Sequence, residues 1–204
     1  MCATQNANRR TSVVGFLYDG TTFTKLKDGT NQATYALGIN NSGVVVGAVG
    51  TLGSTNGFAL IKGNYKTILF PGQYVYAFAY GINNLGEIVG FTTPAANQCP
   101  STYKCGYAYK AGKSQNVDVP GALETAALGI NDNGVIVGYY DVLGPSYYGF
   151  ALRNGKYVSF GYPGAKFTFA TGINAAGQIV GTYTLDLLTY HGFVTSPITD
   201  ADFQ

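Results

Sequence analysis

The side chains best suited to acid–base chemistry lie near the end of the sequence. His191 is the only histidine, and it follows Tyr190 and the nearby Asp186. Histidine ionises near neutral pH, so these three residues are candidates for a general acid–base group. Asp141 is a fourth candidate, because it is predicted to lie in the same kind of loop as Asp186. Polysaccharide hydrolysis uses paired carboxylates, so a polysaccharide hydrolase or lyase is one hypothesis.

Other catalytic and ligand-binding signatures are missing from the sequence. It has no Gly-x-Ser-x-Gly, no phosphate-binding glycine loop and no complete calcium loop, and we expect no cofactor and no metal ion. Charged residues make up only 11% of the chain, and its net charge of +2 comes from scattered lysines and arginines. This pattern predicts no nucleic-acid partner. No apolar run reaches the length of about 18 residues that a membrane span needs.

Three cysteines bear on the cellular compartment. Cys99 and Cys105 enclose the short segment CPSTYKC, whereas Cys2 lies far away in the sequence. The close pair lacks the further ligands of a zinc site, so we predict a structural disulfide between Cys99 and Cys105. Such a bond indicates an oxidising compartment.

Most of the chain repeats one phrase. Gly-Ile-Asn begins at positions 38, 81, 129 and 172, in steps of 43, 48 and 43 residues. Gly followed by Phe or Tyr recurs at 15, 57, 106, 149 and 192, and Pro-Gly recurs at 71, 120 and 163. The chain therefore contains about four and a half copies of a unit of about 43 residues, which is the signature of a repeat architecture.

Each unit is predicted to contain four short strands, A to D. Strand A carries Ala-x-Gly-Ile-Asn, whose small residues give it a thin face. The sequence Asn-x-x-Gly then turns the chain into strand B, because Asn bonds to nearby backbone and Gly accepts a positive φ. We favour this turn role over ligand binding in a central channel for the four asparagines, Asn40, Asn83, Asn131 and Asn174.

Four strands in about 43 residues predict an all-β fold, a β-propeller. The arrangement has either five blades, one of them incomplete, or four blades and an N-terminal hairpin. A stacked sheet that is not a propeller is a third possibility. Residues 1–11 form an N-terminal arm and residues 12–204 a single domain. Its repeats are 12–32 (partial), 33–75, 76–123, 124–166 and 167–204.

The repeated phrase resembles the HAF family of bacterial extracellular repeats. The best copies are GINAAGQIVGTY at 172–183, HGF at 191–193, and PGA at 120–122 and 163–165. The resemblance covers nearly the whole chain and implies secretion or surface display, not a particular activity. One departure is that the His before Gly-Phe occurs only as His191, so a role for that histidine in every copy is not expected.

The loops that join B to C and D to A are predicted to share one face of the domain. Loops on a rigid scaffold carry function, and tyrosine combines apolar area with a hydroxyl group. We therefore prefer a secreted or cell-surface binding module, with a glycan or a protein as its ligand, to an enzyme. A purely structural repeat of a larger surface protein is the remaining alternative. The predicted ligand-binding residues are Tyr74, Tyr103, Tyr147, Tyr148, Tyr162 and Tyr190.

Overall fold

The computed structural model describes residues 13–27, 32–51, 53–68, 74–94, 103–142 and 144–204. These residues form β-strands and one short 3-10 helix, so the all-β prediction is confirmed. No helix in these ranges is long and apolar enough to cross a membrane. The predicted arm at 1–11, Cys2 and Cys99 lie outside the described residues.

The strands follow the repeat of the sequence. A hairpin comes first, with β1 (Gly15–Tyr18) and β2 (Phe23–Leu26). Unit 1 contains β3 (Ala33–Ile39), β4 (Val45–Thr51), β5 (Ser54–Ile61) and β6 (Asn64–Thr67). Unit 2 contains β7 (Tyr74–Ile82), β8 (Ile88–Pro94), β9 (Cys105–Lys110) and β10 (Lys113–Asn116). Unit 3 contains β11 (Glu124–Ile130), β12 (Ile136–Asp141), β13 (Tyr147–Arg153) and β14 (Lys156–Phe160). Unit 4 contains β15 (Phe167–Ile173), β16 (Ile179–Thr184), β17 (His191–Val194) and the 3-10 helix (Asp200–Phe203).

Each strand within a unit pairs antiparallel with the next strand along the chain. Successive units are joined differently, by one parallel pair between the third strand of a unit and the first strand of the next. These pairs are Thr55 with Tyr76, Lys104 with Glu124, and Tyr147 with Phe167. The units therefore contact one another mainly through side chains rather than through continuous backbone pairing.

A β-bulge interrupts the first strand of every unit. The register shifts between Ala36 and Gly38 in unit 1, and at the equivalent position in the other three units. The extra residue breaks the strict alternation that the sequence predicts, because a bulge reverses which face the following residues present. The glycine after the bulge then faces the next unit. A Cβ on Gly129, for example, would lie 3.1 Å from the Cα of Gly172.

The hydrophobic core is divided among the junctions between units. Between units 2 and 3, Val89 and Ala108 of unit 2 pack against residues of unit 3 that include Ala127, Ile130 and Phe150. Similar clusters fill the other two junctions. The hairpin packs on unit 1 in the same way, through Leu26. Each unit buries its apolar faces only by stacking against a neighbour, as in other repeat proteins.

Unit 4 departs from the four-stranded prediction. After β17 the chain has no fourth strand, and the 3-10 helix takes its place. Phe203 of this helix is buried in the core between units 3 and 4, and Asp200 forms an ion pair with Arg153 of unit 3. Pro197 lies in the segment before the helix and has no N–H to donate to a strand ladder, which is consistent with the missing strand.

The face of unit 4 that points away from unit 3 is exposed. The corresponding faces of the other units are covered. The valine at the second position of the second strand is fully buried as Val46, Val89 and Val137, but its counterpart Val180 is 47% exposed. Val194 in the third strand is 65% exposed. No described residues pack on this face as a further unit would.

We predict that one substitution at this repeat position has two different effects. Val137→Ala removes buried methyl groups and should lower the free energy of unfolding by about 2 kcal/mol. Val180→Ala, at the exposed copy of the position, should cost less than about 0.5 kcal/mol. Urea denaturation of both variants measures the difference. Equal losses would contradict the exposed face, since they would mean that Val180 is covered in solution.

Candidate functional site

The asparagine of each first turn is fully used by the fold. Asn83 Oδ1 accepts hydrogen bonds from the N–H groups of Leu85 and Glu87, at 3.0 and 2.9 Å. Gly86 closes this turn with a φ of 75°. The predicted turn role is therefore observed, and the other three asparagines make the same kind of contact within their own turns.

The same asparagines also link the units. Asn40 Nδ2 donates to the carbonyl oxygen of Asn83 at 3.1 Å, Asn83 to that of Asn131 at 3.2 Å, and Asn131 to that of Asn174 at 3.1 Å. The series ends at Asn174, whose Nδ2 donates to Gln178 of its own turn. Residues of all four turns line one cavity of about 180 Å³. Three of the four amides are thus occupied by the neighbouring unit, and the fourth by its own turn.

The opposite side of each unit carries the longer loops. Because the strands alternate in direction, the starts of first and third strands and the ends of second and fourth strands meet at one edge, which we name the loop edge. All six predicted tyrosines lie at or beside it. Four are well exposed, namely Tyr103 (62%), Tyr148 (38%), Tyr162 (42%) and Tyr190 (54%), whereas Tyr74 and Tyr147 are half-buried.

The two adjacent tyrosines Tyr147 and Tyr148 are separated by the strand that carries them. Neighbouring residues of a strand point to opposite faces. Tyr147 packs inward on Tyr139 and Phe167, with ring centroids 5.5 and 4.9 Å apart. Tyr148 packs on Tyr140 at 5.9 Å, on the other face. The predicted tyrosines therefore do not form one continuous surface.

Charged groups gather where units 2 and 3 meet at the loop edge, in a group that we name the junction cluster. Lys104 Nζ lies 3.0 Å from Glu124 Oε1 and donates to the hydroxyl of Tyr139, also at 3.0 Å. Its ammonium stands over the rings of Tyr139 and Phe91, 5.3 and 5.6 Å from their centroids. Asp141 Oδ1 accepts the backbone N–H of Glu124 at 3.0 Å.

The pKa values in the junction cluster reflect burial and mutual contact. Burial raises the pKa of Asp141. Burial, together with the charge of Glu124 and a hydrogen bond to it, raises the pKa of Tyr147 to about 12. Burial opposes the charge on Lys104, but hydrogen bonds to Tyr139 and Glu124 outweigh it, so the Lys104 pKa is raised. Lys104 and Glu124 are paired with each other, so the carboxylate of Glu124, which is nearly buried, is not left without a partner.

An aromatic stack lies at the loop edge of unit 4, and we name it the platform. The rings of Tyr162 and Tyr183 are parallel within 8°, with centroids 3.6 Å apart. His191 stacks on Tyr183 at 5.2 Å from the neighbouring strand, where the two residues face each other directly. Tyr162 and His191 are exposed and Tyr183 is half-buried. Strands β16 and β17 hold two of the three rings, so the stack is preformed.

Three of the four predicted catalytic residues make structural contacts, and the fourth, Tyr190, is 54% exposed at the loop edge. Asp141 is buried in the junction cluster. Asp186 Oδ1 accepts hydrogen bonds from the N–H groups of Leu188 and Thr189 at 2.9 and 2.8 Å, and so closes its own loop. His191 packs on Tyr183 and corresponds to Tyr148 of unit 3, which packs on Tyr140 in the same way. These contacts account for Asp141, Asp186 and His191 without chemistry.

Several residues of the loop edge were missed by the sequence analysis. Tyr183 was assigned to the repeat, although its copies in the other units are Val49, Thr92 and Tyr140. Lys104 and Glu124 were not singled out, because only the packing of the units brings them together. One available signal was variation at fixed repeat positions: the start of the third strand carries Val13, Thr55, Lys104, Tyr147 and Tyr190.

Comparison with known proteins adds no assignment. No protein-family model matches the chain, and no curated protein is significantly similar to it. Within the described ranges, no group of three or more His, Cys, Asp or Glu residues is arranged to hold a metal ion.

Asp186 provides a test of the loop geometry. Hydrogen bonds from Thr189 and Leu188 lower its pKa to about 2, below the ordinary value of 3.8. Its contribution to stability is therefore present above pH 4 and is lost as the pH falls towards 2. We predict that the Asp186 carboxyl signal in NMR titrates near pH 2, and that the amide signals of Leu188 and Thr189 move with it.

Asp186→Asn is the control, because it removes the titrating group. The amide signals of Leu188 and Thr189 should then stay constant over the same pH range. A wild-type midpoint near 3.8 would disprove the hydrogen-bonded loop.

Proposed function

We propose that the protein is a binding module that takes a glycan on the loop edge of unit 4. One observation carries this proposal: the platform is a preformed, solvent-accessible stack of Tyr162, Tyr183 and His191. Such a stack is costly to expose without a ligand, since it leaves aromatic surface in water.

The chemistry of the platform suits a sugar. One face of a pyranose ring presents C–H groups, which pack on the electron-rich face of an aromatic ring. The tyrosine hydroxyls and the ring nitrogens of His191 can hydrogen-bond the hydroxyl groups around that sugar. Tyr190, 54% exposed, adds a further ring beside the platform. The platform residues are all without a fixed charge, which favours a neutral glycan over a phosphorylated ligand.

The alternative functions receive less support. A polysaccharide hydrolase or lyase requires a free acid–base pair, but Asp186 closes its loop and His191 packs on Tyr183. A protein ligand would use the exposed Leu185 and Leu188 beside the platform, at 47% and 86% exposure. We prefer the glycan because two of the three stacked rings stand on strands, whereas both leucines stand on a loop.

We also propose that the units are arranged radially, as a β-propeller. Support comes from the cavity that residues of all four first turns line together. The series of asparagine hydrogen bonds ends at Asn174 and does not return to Asn40. This favours a propeller with five blade positions over a closed ring of four blades. In this arrangement the hairpin of β1 and β2 occupies part of the fifth position.

An extracellular location completes the proposal. It is supported by the resemblance to HAF repeats and by the predicted disulfide. Cys105 is 4% exposed at the start of β9, and its predicted partner Cys99 lies outside the described residues, so the bond stays a prediction.

The glycan proposal predicts a loss of binding at one edge only. Tyr162→Ala removes half of the central stack and should weaken binding at least about tenfold, the equivalent of about 1.4 kcal/mol. A glycan array identifies a ligand, and calorimetry with the soluble oligosaccharide measures the change.

The matched control is Tyr18→Ala, since Tyr18 is 54% exposed at the opposite edge. Its binding should equal that of the wild type. His191→Phe keeps an aromatic ring and should retain most of the affinity. Equal losses in the Tyr162 and Tyr18 variants, or none in either, would contradict the platform as the site.

The disulfide predicts the number of reactive thiols. Of three cysteines, only Cys2 should react with a thiol reagent in unfolded protein purified without reductant. After reduction all three should react. Three reactive thiols before reduction would refute the bond and weaken the extracellular proposal.

A further inference from the structure

The residue at the start of the third strand faces the junction with the next unit. The type of residue at this position differs from one junction to the next. Between units 2 and 3, Lys104 fills this place with an ammonium over two aromatic rings. Between units 3 and 4, the ring of Tyr147 fills it and packs on Phe169 at 5.4 Å. Between units 1 and 2 the residue is Thr55, and a pocket of about 320 Å³ remains.

Aromatic rings form most of the wall of this pocket, which we name the junction pocket. Tyr35 and Phe78 meet edge to face with centroids 6.5 Å apart. The ring of Phe91 packs against the rings of both Phe78 and Tyr80, with centroid distances of 5.4 and 5.5 Å. The full lining is Tyr35, Leu37, Thr51, Thr55, Tyr76, Phe78 and Tyr80. No residue of this lining carries a formal charge at neutral pH.

One polar group in the junction pocket has no partner. Thr55 is only 6% exposed, and its Oγ1 forms no hydrogen bond. Buried hydroxyl groups in proteins are nearly always hydrogen-bonded, because leaving one unpaired costs free energy. Thr55 lines the pocket, but its Oγ1 is buried behind the pocket surface, so this hydroxyl offers a ligand no hydrogen bond.

We propose that the junction pocket binds a small organic cation that carries a quaternary ammonium group. Aromatic faces attract cations, and cages of tyrosine and phenylalanine suit methylated ammonium groups. The neighbouring junction already holds an ammonium over two rings, but there Glu124 accepts a hydrogen bond from it. At the junction pocket Tyr76 takes the place of Glu124. A quaternary ammonium has no N–H to satisfy, so it fits a pocket without a carboxylate.

Choline is the probe for this proposal, and calorimetry or NMR titration measures its binding. Tyr80→Leu should weaken choline at least tenfold, because it removes a face of the cage. The neutral isostere 3,3-dimethylbutan-1-ol, which has the same shape without the charge, should bind at least tenfold more weakly than choline. Equal binding of the two compounds would overturn the cationic assignment.

Two substitutions of Thr55 test the proposal directly. Thr55→Val keeps the shape and removes only a buried hydroxyl, so the affinities for choline and for tetramethylammonium should both be unchanged. Thr55→Lys places an ammonium on the chain, as at Lys104, and should abolish binding of both compounds. Choline binding that survives Thr55→Lys would refute the site.

Two controls separate binding from folding and from the proposed function. Tyr109→Leu changes another half-buried tyrosine away from the junction pocket and should leave choline affinity unchanged. Circular dichroism and the melting temperature check that each variant folds.

Thr55→Lys should keep glycan binding at the platform, so failure of one proposal leaves the other standing. Binding of a methyl glycoside in the junction pocket without choline binding would overturn the cation and assign the pocket to sugars.

Discussion

The asparagine of Gly-Ile-Asn is the contact on which the rest of the structure depends. Its oxygen holds the first turn of its own unit, and its nitrogen bonds to the backbone of the next unit. Aspartate would keep the oxygen and lose the donor, and any apolar residue would lose both. Because both ends of a short, buried amide are used, the distance between neighbouring turns is fixed. This explains why an uncharged phrase recurs while the loops around it vary.

With the asparagine contacts of that edge repeated, a marked difference between junctions lies at the loop edge. The start of the third strand holds a lysine, a tyrosine or a threonine at successive junctions, each within the same backbone pairing. One junction becomes an ion pair, one an aromatic cluster and one an open pocket. The scaffold tolerates these changes because the apolar core of each junction lies between the faces of the sheets and does not use this position. The junctions therefore differ through the size and charge of the side chain at one repeat position.

Local features of this fold follow from the sequence, whereas contacts between units do not. Strand alternation, the Asn-x-x-Gly turn and the 43-residue period predicted the four-strand unit, and six tyrosines were correctly assigned to the loop edge. The bulge before Gly129 was missed, because one extra residue hardly changes the local pattern. Lys104 and Glu124 are 20 residues apart, and only the stacking of two sheets makes them an ion pair. Tyr183 was overlooked because the repeat itself explained it. The fourth strand of unit 4 was predicted by period alone, where Pro197 argued against it.

The exposed face of unit 4 bears on what holds the platform in place. Units of a repeat protein gain stability from each neighbour. Unit 4 has one on the side of unit 3, where Phe203 also packs, while Val180 and Val194 face water. Two of the three platform rings stand on this unit, where the cross-strand pair of Tyr183 with His191 and the loop that Asp186 closes hold them in place. A carboxylate that looked catalytic thus has a structural use: it fixes the loop that leads into the strand of His191. The contacts of Asp186 and His191 in this structure position an aromatic surface.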